Sequence, residues 1–362
     1  MSESILGPVM IMAGGTGGHV YPALAVADEL KQRGIPVVWM GTKKGIEARL
    51  VPAAGIEIDW LGMNGLRGKG MLTLLLAPLK IIMACYQAIT IIRKRKPSVI
   101  LGMGGFVSAP GGMMAWLTRV PLLIHEQNAV PGMSNRILSK FANKVMEAFP
   151  NSFRTKANHM GNPVRRSILS LPSPQQRNQD REDALRILVF GGSLGAARLN
   201  EIVPQACANI LKDTELTIKH QAGPGNFDQT RMNYAQLRVK AEVLEYIDNM
   251  GAMYAWADLV ICRSGAMTVS ELAAAGVASV LVPYPFAVDD HQMFNAKYLS
   301  DAGAAILLKQ KDLNVDTLVD VLKNLSRSKT LEMATIARKL GMPESTKLVA
   351  EACLMAGGYD VN

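Results

Sequence analysis

The chain has 362 residues, room for two domains that each bury a core, and a composition of 49% hydrophobic and 19% charged residues describes a folded protein rather than a disordered one. A net charge of +9 suits an anionic partner, and aromatic residues at only 6% argue against a single-strand nucleic-acid reader, which needs stacking platforms; no nucleic acid is expected, and a phosphorylated substrate or an anionic membrane surface is. The four cysteines form no CxxC pair and the N-terminus shows no export signal, so neither a disulfide framework, a zinc site nor secretion is indicated.

Val9 to Met12 reads as a short buried strand, and Gly14, Gly15, Gly17 and Gly18 then let the backbone turn into a helix. A helix N-terminus carries partial positive charge and unpaired N–H donors, so this opening suits a phosphate. His19 to Arg33 has helical spacing and stops at Gly34, and Pro36 to Met40 is the second strand. A dinucleotide-binding domain would present an acid after that strand. Gly41, Thr42, Lys43 and Lys44 stand there instead, which counts against NAD.

Residues 71–92 contain one charge, Lys80, and are followed by the basic run Arg93 to Lys96. Length alone permits a membrane span, but the segment lies between two strands of one domain, where a crossover helix is required. With Leu66, Arg67 and Lys69 before it, it forms an apolar patch ringed by cations, a seat for an anionic bilayer. The alternative is a buried helix with a solvated basic end. Val99 to Ser108 and Pro121 to Asn128 are further strands ending in glycines or polar groups, and two short strands near Lys144 and Asn158 complete a first domain ending at residue 163.

Ser170 to Asp183, rich in Ser, Pro and Gln, reads as a flexible surface loop. At Arg186 the pattern restarts, with an apolar strand, the run GGSLGA from Gly191 to Ala196, and a helix. Strands near Leu216, Ala241, Leu259 and Ser279 alternate with helices through Asn200, Met232, Ala252 and Leu272. A second domain over 164–342 follows, and the terminal helix in 343–362 is expected to pack back on the first.

The run RSGAMTVSE from Arg263 to Glu271 offers a second anion site, where a strand ends and a helix starts near Thr268. Glu271 either accepts both hydroxyls of a ribose or, through the Thr268-x-x-Glu271 spacing, closes a capping box. Beyond it, Pro283 to Asn295 is a proline-shaped loop feeding a helix capped by Asp289 or Asp290, with His291 and Gln292 at its start. Spacing alone does not distinguish a Mg²⁺ site from an N-cap here, and no metal is expected. His19 stands at the positive end of a helix dipole, which favours the neutral imidazole that a general base needs; the alternative is a capping or packing histidine.

Seven runs, GGTGGHVYPALA at Gly14–Ala25, GMGGFVS at 102–108, HEQN at 125–128, GNPVR at 161–165, GGSLGA at 191–196, RSGAMTVSE at 263–271 and QxxNA at 292–296, together resemble the MurG family, the bacterial N-acetylglucosaminyltransferases of peptidoglycan synthesis. The resemblance implies an α/β GT-B fold, two Rossmann-like domains separated by a deep cleft, with UDP-GlcNAc bound mainly on the C-terminal one. It implies transfer of GlcNAc to the undecaprenyl-linked acceptor lipid I, giving lipid II, by an inverting displacement without a cofactor. Carried over, Ser193 and Arg165 would meet the diphosphate and the Ile247 backbone the uracil. Ala266, Met267, Thr268, Val269, Ser270 and Glu271 would hold phosphate and ribose, and Gln292 the sugar hydroxyls. Thr16, Gly17, Gly18 and Asn128 would close on the donor sugar, with His19 as base and Glu126 as second choice. The same resemblance implies a peripheral protein on the cytoplasmic face of the inner membrane, and leaves cell-wall and division proteins open as partners. A UDP-GlcNAc 2-epimerase, a related lipid glycosyltransferase and a non-catalytic nucleotide-sugar-binding scaffold are the competing expectations.

Overall fold

Short apolar runs make the central strands of two parallel sheets in this computed structural model, which describes residues 6–62, 77–153, 157–179, 181–211 and 215–360. Leu66, Arg67 and Lys69 lie outside them. The chain divides into two units, Met1–Val164 with Pro343–Asn362, and Arg165–Met342.

In the first unit β1 (Val9–Met12), β2 (Val37–Gly41), β3 (Glu57–Trp60), β4 (Val99–Gly102), β5 (Leu122–Glu126), β6 (Lys144–Glu147) and β7 (Asn158–His159) pair in the order β3-β2-β1-β4-β5-β6-β7. Every pairing is parallel, with Val9 beside both Val37 and Val99. Because side chains alternate across a strand, Val9 and Ile11 enter one layer with Val20, Ala27 and Leu30 of the helix Gly17–Gln32. Met10 and Met12 enter the other, with Ala84, Ala88 and Ile92 of the helix Ala77–Arg95. Burial on both faces explains why these strands read as unbroken apolar runs. Gly34, at φ +75°, ends the first helix by donating to Lys31 O while Ile35 donates to Leu30 O. The helix Ser345–Gly357 adds Val349, Ala350, Cys353 and Leu354 to the first layer, and the Tyr359 hydroxyl donates to Gly7 O.

In the second unit β8 (Leu185–Phe190), β9 (Leu216–Gln221), β10 (Glu242–Leu244), β11 (Leu259–Cys262), β12 (Ala278–Leu281) and β13 (Ala305–Leu307) pair in parallel in the order β10-β9-β8-β11-β12-β13. Ile187, Val189, Ile261 and Val280 pack with Leu199, Val203 and Cys207 of the helix Ala197–Ile210.

In both sheets the winding direction reverses beside the first strand, between β1 and β4 and between β8 and β11. Open α/β sheets bind ligands at the carboxyl ends of such strands, because adjacent loops there diverge to opposite faces. The glycine runs at 14–18 and 102–105 follow β1 and β4, and the runs at 191–195 and 263–271 follow β8 and β11.

Two expectations change. The sequence reading gives no strand at β3 or β13: β3 is a partly exposed edge of alternating polar and apolar residues, and β13 is only three residues long. Ser170 to Asp183 is not simply a flexible loop, because Pro174–Asn178 is a helix started by a Ser173–Gln176 capping box. Arg177 holds it down by donating to Ala275 O at 2.7 Å and Gly276 O at 2.6 Å.

Candidate active site

The first glycine loop is shaped by a carboxylate from another element. Gly15, at φ +94°, turns its N–H inward to Glu47 Oε2 at 3.0 Å. The other oxygen of Glu47, a fully buried residue, accepts from Thr42 N at 3.0 Å and Thr42 Oγ1 at 2.6 Å. The Gly15 donor is therefore not offered to a ligand. What the loop presents is the start of the helix Gly17–Gln32, whose N-cap Thr16 makes no side-chain capping bond and whose first N–H groups, on Gly17 and Gly18, are the orphan donors of a helix end.

His19 follows on the first turn, half-buried, with Nδ1 at 2.9 Å from Gln127 Oε1. Gly104 lies against its ring. A Cβ there would stand 2.7 Å from His19 Nδ1, and the backbone has φ +98°, so this position takes glycine on both counts. Behind Gln127, its amide nitrogen is 3.1 Å from His125 Nδ1, and His125 Nε2 is 2.8 Å from Gly161 O. Burial pushes the His125 imidazole down to about 4, only partly opposed by the Gly161 hydrogen bond and the Glu126 charge.

Glu126 has a different environment from that expected of a base. It is buried, with Oε1 accepting from Asn128 N at 2.9 Å and Asn128 Nδ2 at 3.2 Å, and Oε2 from Gly132 N at 3.0 Å and Asn135 Nδ2 at 2.9 Å. Four donors on two oxygens make it the anchor of the loop that carries Asn128.

In the second unit the run Gly191 to Ala196 leaves β8 through Gly192 and Gly195, at φ +93° and +75°. A Cβ on Gly195 would lie 1.8 Å from Ala222 O, so the loop passes too close to its neighbour for any side chain. Ser193 and Leu194 are exposed at the tip. After β11 the helix is Ala266–Ala275 with Gly265 as N-cap, two residues earlier than expected. Ala266, Met267 and Thr268 hold the orphan donors, because Val269 N already donates to Gly265 O at 3.0 Å. The Val269 side chain is buried in the core, and Ser270 follows it within the helix.

Glu271 consequently stands in the second turn, and the capping-box alternative fails: the N-cap is a glycine with no side-chain hydrogen bond. Its carboxylate accepts instead from Arg165 Nη2 at 3.0 Å and from the buried Tyr254 hydroxyl at 3.1 Å. Burial pushes the Glu271 carboxyl up, against the lowering effect of Arg165, and pushes the Tyr254 hydroxyl well above its usual range. The Ile247 side chain is buried. Gln292 is the second residue of the helix His291–Ser300 and accepts from Tyr284 N at 3.0 Å through its amide oxygen. Its backbone O accepts from Ser264 Oγ at 2.8 Å, which ties this loop to the β11 turn. Asp290 is the N-cap of that helix but makes no capping bond, since both Asp289 and Asp290 have φ +51°. Among the described residues no group of three or more His, Cys, Asp or Glu is arranged to hold a metal ion.

Gln127, Glu47 and Tyr254 are the supporting residues that sequence reasoning does not single out. Gln127 lies inside the HEQN run, where roles are expected only of Glu126 and Asn128; Glu47 and Tyr254 carry no local signal.

Residues 9–147 match the glycosyltransferase family 28 N-terminal domain and residues 186–349 match the glycosyltransferase family 28 C-terminal domain. The chain is 50% identical over 353 residues to the UDP-N-acetylglucosamine--N-acetylmuramyl-(pentapeptide) pyrophosphoryl-undecaprenol N-acetylglucosamine transferase of Dechloromonas aromatica, covering 98% of this chain and 99% of that one. A protein of the same description from Nitrosospira multiformis is 50% identical over 96% of this chain and 98% of its own length. Among solved structures, the MurG of Acinetobacter baumannii superposes with a TM-score of 0.86 at 41% identity, covering 96% of this chain and 99% of that one.

Proposed function

This chain belongs to glycosyltransferase family 28 and has the GT-B fold, and from that membership we infer its reaction. It is an N-acetylglucosaminyltransferase that moves GlcNAc from UDP-GlcNAc to the 4-hydroxyl of the MurNAc unit of undecaprenyl-pyrophosphoryl-MurNAc-pentapeptide, giving lipid II and UDP. The observation that carries this is half identity sustained over nearly the whole of both chains.

The site geometry supports a division of labour. UDP-GlcNAc binds at the β8/β11 reversal. Its diphosphate meets the helix ends behind Ser193 and at Ala266 to Thr268, together with Arg165, whose charges offset the one that develops on departing UDP. Glu271, held by Arg165 and Tyr254, takes the ribose hydroxyls, the Ile247 backbone reads the uracil edge, and Gln292 meets the sugar. At the β1/β4 reversal, Gly17 and Gly18 address the acceptor's diphosphate and, with Thr16 and Asn128, the donor sugar. His19 takes the proton of the attacking hydroxyl in a single inverting displacement, while Glu126 holds the Asn128 loop in shape. No divalent cation is invoked.

Among the described residues no helix is long and apolar enough to cross a membrane. Leu79, Ile82, Met83 and Tyr86 of the helix Ala77–Arg95, with Trp116 and Leu117 of the helix Ser108–Leu117, are each more than half exposed. Exposed Lys80, Arg93 and Lys94 accompany them, and this surface seats the protein on the anionic cytoplasmic leaflet where the undecaprenyl tail resides. Arg95 takes no part, being paired with Glu57 and Asp59.

The reaction is tested by UDP release from UDP-GlcNAc with and without a lipid I analogue. Release that depends on the analogue is expected. Release without it, or none with it, sinks the assignment, and consumption of UDP-GlcNAc without any UDP points to an epimerase.

A further inference from the structure

Behind His19 three polar groups form a chain that ends on a backbone carbonyl, and the chemistry of that end determines every proton along it. Gly161 O can only accept, so His125 Nε2, 2.8 Å away, carries a hydrogen. His125 is fully buried and holds a single ring proton at neutral pH, which leaves Nδ1 as a bare acceptor. The Gln127 amide nitrogen meets that lone pair at 3.1 Å and the His125 carbonyl, another obligate acceptor, at 3.2 Å. Both amide hydrogens are thus spent on acceptors, and the amide oxygen is turned to His19 Nδ1 at 2.9 Å. An amide oxygen only accepts, so the hydrogen on this contact belongs to His19 Nδ1.

We propose that Gln127 is a positioning residue that holds His19 in the Nδ1–H tautomer and so presents Nε2, with its lone pair, as the atom that takes the acceptor's proton. The tautomer itself follows from the hydrogen bonds and the burial of His125; its use in catalysis rests on the reading of His19 as base. Neighbouring contacts keep the chain in place. Asn162 Nδ2 donates to Gln127 O at 3.0 Å, Asn135 Nδ2 donates to His125 O at 3.1 Å, and the bare Cα of Gly104 leaves just the space the His19 ring occupies. A neutral amide in this position orients the imidazole without adding a full negative charge beside it, which distinguishes it from the carboxylate that commonly backs a catalytic histidine.

The test uses the full chain with 15N-labelled histidine rings, whose long-range proton–nitrogen spectrum separates the two tautomers. The chain has five histidines, so the spectrum is tractable, and His19→Asn assigns the His19 signals. In the unaltered protein His19 is expected as Nδ1–H and His125 as Nε2–H. In Gln127→Leu, His19 shifts toward Nε2–H, and kcat falls on the order of tenfold with little change in KM for UDP-GlcNAc. Gln127→Glu keeps an acceptor for Nδ1 and retains more of kcat than the leucine variant. An Nε2–H His19 in the unaltered protein, or an unshifted Nδ1–H form in a folded Gln127→Leu, overturns the proposal. A shifted tautomer with unchanged kcat keeps the hydrogen-bond chain and overturns the role of His19 as base, so the two failures are told apart.

Discussion

The chain contains two strand–glycine–helix openings that look alike in sequence and differ in what surrounds them. The loop after β1 is held from beneath by a buried carboxylate: Glu47 takes the N–H of Gly15 and both donors of Thr42. Among the described residues the loop after β8 has no such anchor. It is tightened instead by backbone, where Gly195 passes against Ala222 O, and it leaves Ser193 and Leu194 exposed. The Glu271 carboxylate of the second unit also differs from Glu47, since a cation, Arg165, stands on it. A glycine loop is thus a neutral frame. What surrounds it comes from distant parts of the chain: in the first unit a buried carboxylate grips the loop itself, and in the second an Arg165–Glu271 pair stands on the helix after the neighbouring strand β11.

The comparison breaks most visibly at His19, which has no counterpart on the second loop. His19→Ala is expected to lower kcat for acceptor-dependent UDP release about 10²- to 10⁴-fold, the usual range for a general base, while UDP binding measured by calorimetry stays within a factor of about two. Parallel loss of UDP affinity would instead place His19 among the donor contacts. Removing the anchor of the first loop comes next. Glu47→Ala leaves the Gly15 and Thr42 donors without an acceptor in a buried place, and the denaturant midpoint should fall by the equivalent of about 3 kcal/mol. An unshifted midpoint would mean that the carboxylate does not hold the loop.

In the second unit Glu271→Ala removes the acceptor shared by Arg165 and Tyr254. UDP affinity should drop by about 2 kcal/mol, roughly 30-fold, with chemistry in the bound complex little altered. If kcat collapses and affinity does not, the carboxylate acts on the reaction and not on the ribose. The smallest effect belongs to the membrane face. Arg93→Ser and Lys94→Ser should each weaken binding to vesicles rich in anionic lipid by about 1 kcal/mol at most, and salt should erase the difference. Binding indifferent to both substitutions would remove the electrostatic part of that proposal.

The backbone architecture was largely legible because the central strands are buried on both faces and read as apolar runs, and because each glycine run stands where a strand must turn into a helix. The run after β11 was legible as a helix start but not to the residue. Thr268-x-x-Glu271 has the spacing of a capping box, yet the chain becomes helical at Ala266 because Gly265 reaches the N-cap geometry first. Partners were the illegible part. Glu47 lies 32 residues from Gly15, Gln127 lies 108 from His19, and Arg165 lies 106 from Glu271. Each contact is created by sheet order, and nothing in the local pattern of a lone glutamate or glutamine announces which loop it will meet. Of the edge strands, β3 and β13 escaped for the opposite reason: they are short and half-wetted, so their pattern carries little hydrophobic signal.

The helix Ser345–Gly357 closes the apolar layer that begins with β1, whereas the second unit is one uninterrupted stretch from Arg165 to Met342. During synthesis on the ribosome the second unit can therefore complete its core while the first still lacks a wall, although most of the first has been made earlier. The part of the chain that emerges first is the last to be finished. A nascent first unit waits with the helix Gly17–Gln32 and the strand β4 short of their covering partner, and a premature stop a few codons before Ser345 would damage the half of the molecule that lies farthest from it along the message.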